Sequence, residues 1–252
     1  MKRDRMDEIA EILDKRGRLS LEQLAEYFPK VSQMTLRRDL LALEEKGRII
    51  RVRGGAMSVK QVQQVSGEEF VKKSVTNTDE KTEIAKKAAR LVEEGSCLFV
   101  DGGTTALYFA KELPDMNVHI FTNGLAVAIE LAAKKNVNVT MLGGQVMKGN
   151  LSTASPVGKT YFDSTNFEFA IMSASAFTPE NGFSCTSQVE ADLLKAVRAK
   201  AKSMYMLLDS SKIGKIMPYT FARVENVDVL ITDDAFPDDI KTLFEEKNIV
   251  VM

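Results

Sequence analysis

Along the first 58 residues, apolar positions recur at helical spacing in three short blocks. Met6, Ile9, Ile12 and Leu13 predict a helix over about 4–16. Gly17 stops it. Ser20 opens SLEQLAEYF with Gln23 three residues on, a capping box, and Pro29 ends that helix. Ser32 caps a third helix, QMTLRRDLLALEEK, which Gly47 closes. RIIRVRGGAMS then alternates β-branched residues with arginines and stops at Gly54-Gly55, the pattern of a short hairpin. Residues 59–78 are polar and weakly patterned; they read as a linker, or as the first helix of a following domain.

From residue 79 the pattern changes. Helical EKTEIAKKAARLVEEG leads to the apolar run CLFVD, the turn GGTT and helical ALYFAKEL. VHIFT runs into NGLAVAIELAAKK, and VNVTML into GGQ. FEFAIMSAS, SMYMLLD, VDVLITD and IVV are further runs suited to buried strands, and EADLLKAVRAKA is helical between two of them. This alternation predicts an α/β domain with a mostly parallel sheet. The expected organisation is a small head over 1–58, a linker over 59–78 and a larger body over 79–252.

Composition narrows the class. The 252 residues are 44% hydrophobic and 27% charged, as in a globular protein. No apolar stretch is long enough to span a membrane, and the N-terminal residues lack the apolar segment of a secretory signal. Cys97 and Cys185 are the two cysteines and form no CxxC pair, and His119 is the one histidine. A disulfide scaffold, a zinc cluster and a metal cofactor are therefore not expected, and a reducing cytoplasm is. The twelve methionines read as core filler. The net charge of −1 hides an asymmetry. Residues 1–60 carry 14 Lys/Arg against 10 Asp/Glu, whereas 61–252 carry 20 against 25. A basic head on an acidic body suits a polyanion partner.

The third predicted helix carries the head's chemistry. At 100° per residue, Leu36, Leu40 and Leu43 fall on one stripe that faces the core. Arg38 and Met34 then point away from it, with Arg37 on the flank. A helix in the major groove presents its early residues to base edges, and arginine suits guanine edges and phosphates alike. Ser32, Gln33 and Thr35 occupy the same first turns. Arg48, Arg51 and Arg53 of the hairpin would track the adjacent backbone or enter the minor groove as a wing. An Arg-Arg pair alone is an ordinary solvated face; its order with a capped turn and a basic hairpin is what points to duplex DNA. SQMTLRRDLLALEEKGRIIRVRGGA resembles the winged helix-turn-helix of the DeoR family of bacterial sugar-metabolism regulators. The turn departs from the family pattern, with Pro29-Lys30 before Val31.

In the body, predicted strands end in polar, glycine-containing turns: Asp101-Gly102-Gly103-Thr104-Thr105, Thr122-Asn123-Gly124 and Gly143-Gly144. Ligands of open α/β sheets bind beyond such strand ends. A Gly-Thr-Thr turn entering a helix offers free amides, hydroxyls and the helix dipole to a compact anion. Asp209-Ser210-Ser211-Lys212 follows another strand and brings a cation. The resemblance to the DeoR family continues over about 79–252, through Asp101, Gly103, Thr104, Thr105, Thr122, Asn123, Gly143, Gly144, Asp209 and Lys212. It implies an effector domain similar in fold to ribose-5-phosphate isomerase and CoA transferases, and a phosphorylated sugar as effector. On that likeness Thr104 and Thr105 cradle phosphate, Lys212 neutralises it, and Asp101, Asn123 and Asp209 bind hydroxyls or orient those groups. The family's glycine-alanine-serine-glycine stretch is here Ser173-Ala174-Ser175-Ala176.

The rival reading is a sugar-phosphate isomerase, with Asp101, Glu190, Asp209 or Asp233 as carboxylate base. The arginine-bearing head has no use in such an enzyme. The expected protein is a sequence-specific regulator, a repressor by family resemblance, acting as a homo-oligomer (dimer or tetramer) on paired half-sites of operator DNA.

Overall fold

The structure is a computed structural model and describes residues 5–52, 54–58, 68–155, 162 and 164–252. Arg53, and residues 59–67 of the expected linker, lie outside the described residues. The chain divides into two units, residues 1–76 and 77–252.

The first unit contains α1 (Arg5–Arg16), β1 (Arg18–Ser20), α2 (Leu21–Tyr27), α3 (Gln33–Glu45), β2 (Ile49–Val52), β3 (Gly55–Ser58) and α4 (Glu68–Ser74). Ser20 caps α2 through the expected reciprocal box with Gln23. Ile9, Leu13, Leu24, Leu36, Leu40, Leu43 and Ile49 close one core, so the leucine stripe of α3 faces inward as its spacing requires. The hairpin gains a strand that periodicity did not reveal: β1 pairs with β3, giving the order β1-β3-β2. Three residues are too few to show alternation. Gly55 permits the pairing, because a β-carbon there would strike the Leu19 carbonyl. Within the run read as a linker, residues 68–74 are helical.

The second unit opens with α5 (Thr78–Ala89), then β4 (Cys97–Val100), α6 (Thr104–Glu112), β5 (Val118–Thr122), α7 (Leu125–Ala132) and β6 (Val137–Met141). A hairpin of β7 (Gln145–Met147) and β8 (Ser152–Ala154) follows. Next come β9 (Phe167–Ser173), β10 (Ala176–Thr178), β11 (Gly182–Cys185), α8 (Gln188–Arg198), β12 (Ala201–Leu207), β13 (Tyr219–Ala222), β14 (Val229–Ile231), α9 (Asp238–Glu245) and β15 (Val250–Val251). Seven strands form one sheet in the order β15-β14-β12-β9-β4-β5-β6. Every neighbouring pair in it is parallel. A smaller antiparallel sheet, β10-β11-β13, was not legible in the sequence.

One core of the body is built on aromatic side chains. Phe99, Phe162, Phe167, Phe177, Phe183 and Phe244 are almost wholly buried and meet mostly in tilted or edge contacts. Met172, Met204 and Met206 fill it between them. His119 pairs with Thr140 at 2.8 Å and stacks on Phe121, a packing role. Cys185 is buried, whereas Cys97 is half-buried at the start of β4.

The strand order decides where a ligand can sit. From β4 the chain runs outward through β5 and β6, then returns to β9 and runs the other way through β12, β14 and β15. The direction reverses between β4 and β9, so a crevice opens beyond their carboxyl ends. Asp101 follows β4, and Ser173 ends β9.

Candidate functional site

In the head, α3 carries Gln33, Met34, Arg37 and Arg38 exposed, with Met34 at 60%. Ser32 caps the helix: its hydroxyl accepts from the Thr35 amide at 3.2 Å and meets the Thr35 hydroxyl at 2.9 Å. Neither Arg37 nor Arg38 has an ion-pair partner among the described residues. The hairpin arginines differ. Arg51 is held by Glu44 through its amide and its Nε, at 3.0 and 2.6 Å. Arg48 reaches Asp7 at 3.3 Å, with both side chains about half exposed. Asp39, between these arginines and the core stripe, is mostly buried and takes two hydrogen bonds from Arg5, at 2.6 and 2.9 Å.

In the body, Asp101 is buried. Its Oδ1 accepts from the Gly102 amide at 2.7 Å, and its Oδ2 from the amide and hydroxyl of Ser173, each at 3.3 Å. The two bonds from Ser173 cross the reversal between β4 and β9. Burial, and then the nearby Glu190 carboxylate, raise Asp101 to about 8 against the lowering effect of those bonds. Cys185 is pushed up to about 12 by burial and then by Glu190. Among the described residues, no cluster of three or more His, Cys, Asp or Glu is arranged to hold a metal.

Gly103 starts α6 at φ 111°, a conformation that favours glycine, and no side chain caps the helix. The first bond of α6 runs from the Leu107 amide to the Gly103 carbonyl. The amides of Thr104, Thr105 and Ala106 therefore have no backbone acceptor among the described residues. Thr104 is half-buried and Thr105 buried. Thr122 turns the next strand end, its hydroxyl accepting from Gly124 at 3.0 Å. Beside it Asn123 is fully buried, and neither its amide nitrogen nor its oxygen has a hydrogen-bond partner. Ser152, on β8, is equally buried with an unpartnered hydroxyl. It lies against the Asp101 turn: a β-carbon on Gly102 would fall 2.6 Å from that of Ser152.

The remaining expected site residues are Gly143, Gly144, Asp209 and Lys212. Gly143 and Gly144 are exposed where β7 begins. Asp209 caps a short 3-10 turn, Ser210–Lys212, accepting from Ser211 and from Asn77. Lys212 Nζ is 3.9 Å from the other oxygen of Asp209, so the cation expected for a ligand is shared with a buried carboxylate.

The two surfaces match one kind of protein. Residues 5–62 match the DeoR-like helix-turn-helix domain, and residues 76–234 match the DeoR C terminal sensor domain. The chain belongs to the DeoR family. Full-length relatives agree. It is 32% identical to the HTH-type transcriptional regulator IolR of Bacillus subtilis over 250 residues, 99% of this chain and 98% of that one. It is 33% identical to the lactose phosphotransferase system repressor of Streptococcus mutans over 253 residues, 99% of each. The transcriptional repressor AccR of Agrobacterium fabrum is 33% identical over 96% of this chain and 94% of its own. Ribose 5-phosphate isomerase A of Methanocaldococcus jannaschii aligns over 55% of each chain at 20% identity, with a TM-score of 0.41, a likeness too slight to argue from.

This DeoR-family chain is a transcriptional regulator and not an enzyme. No helix among its described residues is long and apolar enough to cross a membrane. Three polar residues around the crevice were not singled out as ligand-binding in the sequence: Asn150, Ser152 and Ser173. The first two sit in KGNLST, which has no periodicity, and only pairing across the fold brings them to the strand ends. Ser173 ends a strand run, a signal that could have found it.

Proposed function

We propose that this regulator is a repressor that grips operator DNA with α3 and is controlled by a phosphorylated sugar held at the carboxyl ends of the sheet. In the head, Gln33, Met34, Arg37 and Arg38 meet base edges and phosphates. Ser32 and Thr35 present the first turn of the helix, and Arg48, Arg51 and Arg53 flank the groove. In the body, the amides of Thr104 and Thr105, their hydroxyls and the dipole of α6 hold the phosphate. Lys212 supplies positive charge, and Asp209 orients it. Thr122, Gly143 and Gly144 shape the neighbouring turns. The active form is a homo-oligomer in the cytoplasm, and residues 59–78 relay the ligand's presence to the heads.

One observation carries the effector half. An uncapped helix N-terminus lies in the same strand-end region as Asn123 and Ser152, both fully buried with unpartnered polar atoms. Buried polar groups are nearly always paired, so these favour a polar occupant. The test is electrophoretic mobility shift with promoter fragments at low salt, with and without pentose, hexose and hexosamine phosphates, alongside thermal shift. The expected outcome is a raised melting midpoint with one sugar phosphate and a changed DNA affinity with the same compound. Indifference of both readouts to every phosphate would overturn the effector assignment; failure to bind any promoter fragment would overturn the head's.

A further inference from the structure

The outward face of α3 is not uniformly polar. Met34 is 60% exposed and Leu41 43%. Two turns apart at about 100° per residue, they fall almost in line, opposite the buried stripe of Leu36, Leu40 and Leu43. Arg37 and Arg38 lie between them on the same face, exposed and without an ion-pair partner among the described residues. Other polar groups of the first turn are engaged: the Ser32 hydroxyl accepts from the Thr35 amide and shares a hydrogen bond with the Thr35 hydroxyl. Glu45, one turn past Leu41 on that face, is exposed and acidic. The face therefore runs from an apolar and doubly cationic half to an acidic end. A polyanion suits the first half and is repelled by the last.

The chemistry of Met34 limits what it can read there. Early residues of a helix in the major groove meet base edges. A thioether is unbranched, adaptable and at best a weak hydrogen-bond acceptor, so it discriminates poorly among the donors and acceptors of those edges. The apolar group that the groove presents is the thymine 5-methyl. Arg38, one turn further on, suits a guanine edge or a phosphate beside it. We propose that Met34 is a specificity residue of the head. Its side chain packs on a thymine methyl, so the operator carries an A·T pair of fixed orientation where the first turn of α3 enters the groove. This rests on the reading of α3 as the DNA-contacting helix and adds which base chemistry its exposed methionine selects. Leu41 is apolar too, but it lies about 10 Å further along the axis, beside the acidic end, and takes no part.

The probe is a duplex selected by the full chain from a library of random sequences, then resynthesised with uracil in place of thymine at one position at a time. Uracil keeps every hydrogen bond of the pair and lacks only the methyl. Mobility shift of the wild-type protein is expected to show a replacement in each half-site that weakens binding about four-fold, the scale of burying one methyl group. Met34→Ala is expected to bind the thymine and uracil forms within about two-fold of each other at that position, whereas Leu41→Ala keeps the wild-type penalty. Met34→Gln, which retains the length but ends in an amide, is expected to lose the penalty as well. Three results overturn the assignment while DNA reading by α3 stands: a selected site with no A·T pair, a wild-type protein indifferent to uracil at every position, or a penalty that survives Met34→Ala. A penalty removed by Leu41→Ala in its place overturns it too. Failure to enrich any duplex overturns the reading of the head itself, and the assignment with it.

Discussion

Arg5 grips Asp39 through two parallel hydrogen bonds, tying the first turn of α1 to the middle of α3. Asp39 follows the two arginines that face outward, so the same pair sets the angle at which Arg37 and Arg38 are presented. Asp39→Asn leaves one oxygen in place of a carboxylate that accepts twice. It is expected to cost about 1–2 kcal/mol in the stability of the head, the usual scale for a partly exposed charged pair. Urea unfolding checks the loss. An unchanged midpoint would mean that the pair contributes little.

Arg38→Ala is expected to weaken operator binding by about 1–3 kcal/mol, because Arg38 is exposed and carries no competing carboxylate. Arg48→Ala should act mainly on the salt dependence, lowering the slope of log affinity against log salt by about 1 if Arg48 leaves Asp7 for a phosphate. Mobility shifts over a salt series separate the two. Equal and salt-independent losses would show that neither works as described.

Lys212→Ala is expected to leave DNA affinity intact and to abolish the response to the effector. Its ammonium lies 3.9 Å from Asp209 and is only partly neutralised there. Thermal melts keep the reading honest: a collapsed fold would make the lysine a structural partner of Asp209, and the pocket assignment would be wrong.

Asp101 makes stability depend on pH with a definite sign. Its folded pKa, about 8, lies above the ordinary carboxyl value of about 3.9 in the unfolded chain. Between these values the unfolded chain has released a proton that the folded chain keeps. The contribution of this group is therefore complete below about pH 4 and is lost as pH rises toward about 8. Glu190 and the thiol of Cys185 share its surroundings. Asp101→Asn is expected to flatten the fall in melting midpoint between about pH 5 and pH 8, whatever it does to the absolute midpoint. Parallel curves for wild type and variant would refute the assignment.

Gly102→Ala places a β-carbon 2.6 Å from that of Ser152. Both atoms belong to short, well-anchored segments, so one must move. The expected result is a loss of about 1–3 kcal/mol, the cost of overpacking, and loss of effector binding with DNA affinity retained. Denaturant unfolding and the ligand-induced thermal shift measure the two parts.

Much of the chain could be read without coordinates. The capping box at Ser20, the cap at Ser32 and the leucine stripe of α3 are local features, set by neighbours within one or two turns. The runs that became β4, β5, β6, β9, β12 and β14 are almost continuously apolar or alternate cleanly, because helices or a second layer cover the sheet. Their polar ends, Asp101 to Thr105, Thr122-Asn123 and Asp209 to Lys212, stood out by contrast with those runs. The third strand of the head, the β7–β8 hairpin and the antiparallel sheet were not legible. Each is a few residues long, and its stability comes from its partner rather than from its own pattern.

Which polar residues face the same crevice was settled by strand order alone. Asp101 and Ser173 are 72 residues apart, and Asn150 and Glu190 are 40 apart. Local periodicity says which side of a helix or strand is apolar, but not which strand lies beside which. That choice is made when the chain reverses direction between β4 and β9; burial at that reversal raises the Asp101 carboxyl, while the hydrogen bonds formed there hold it down.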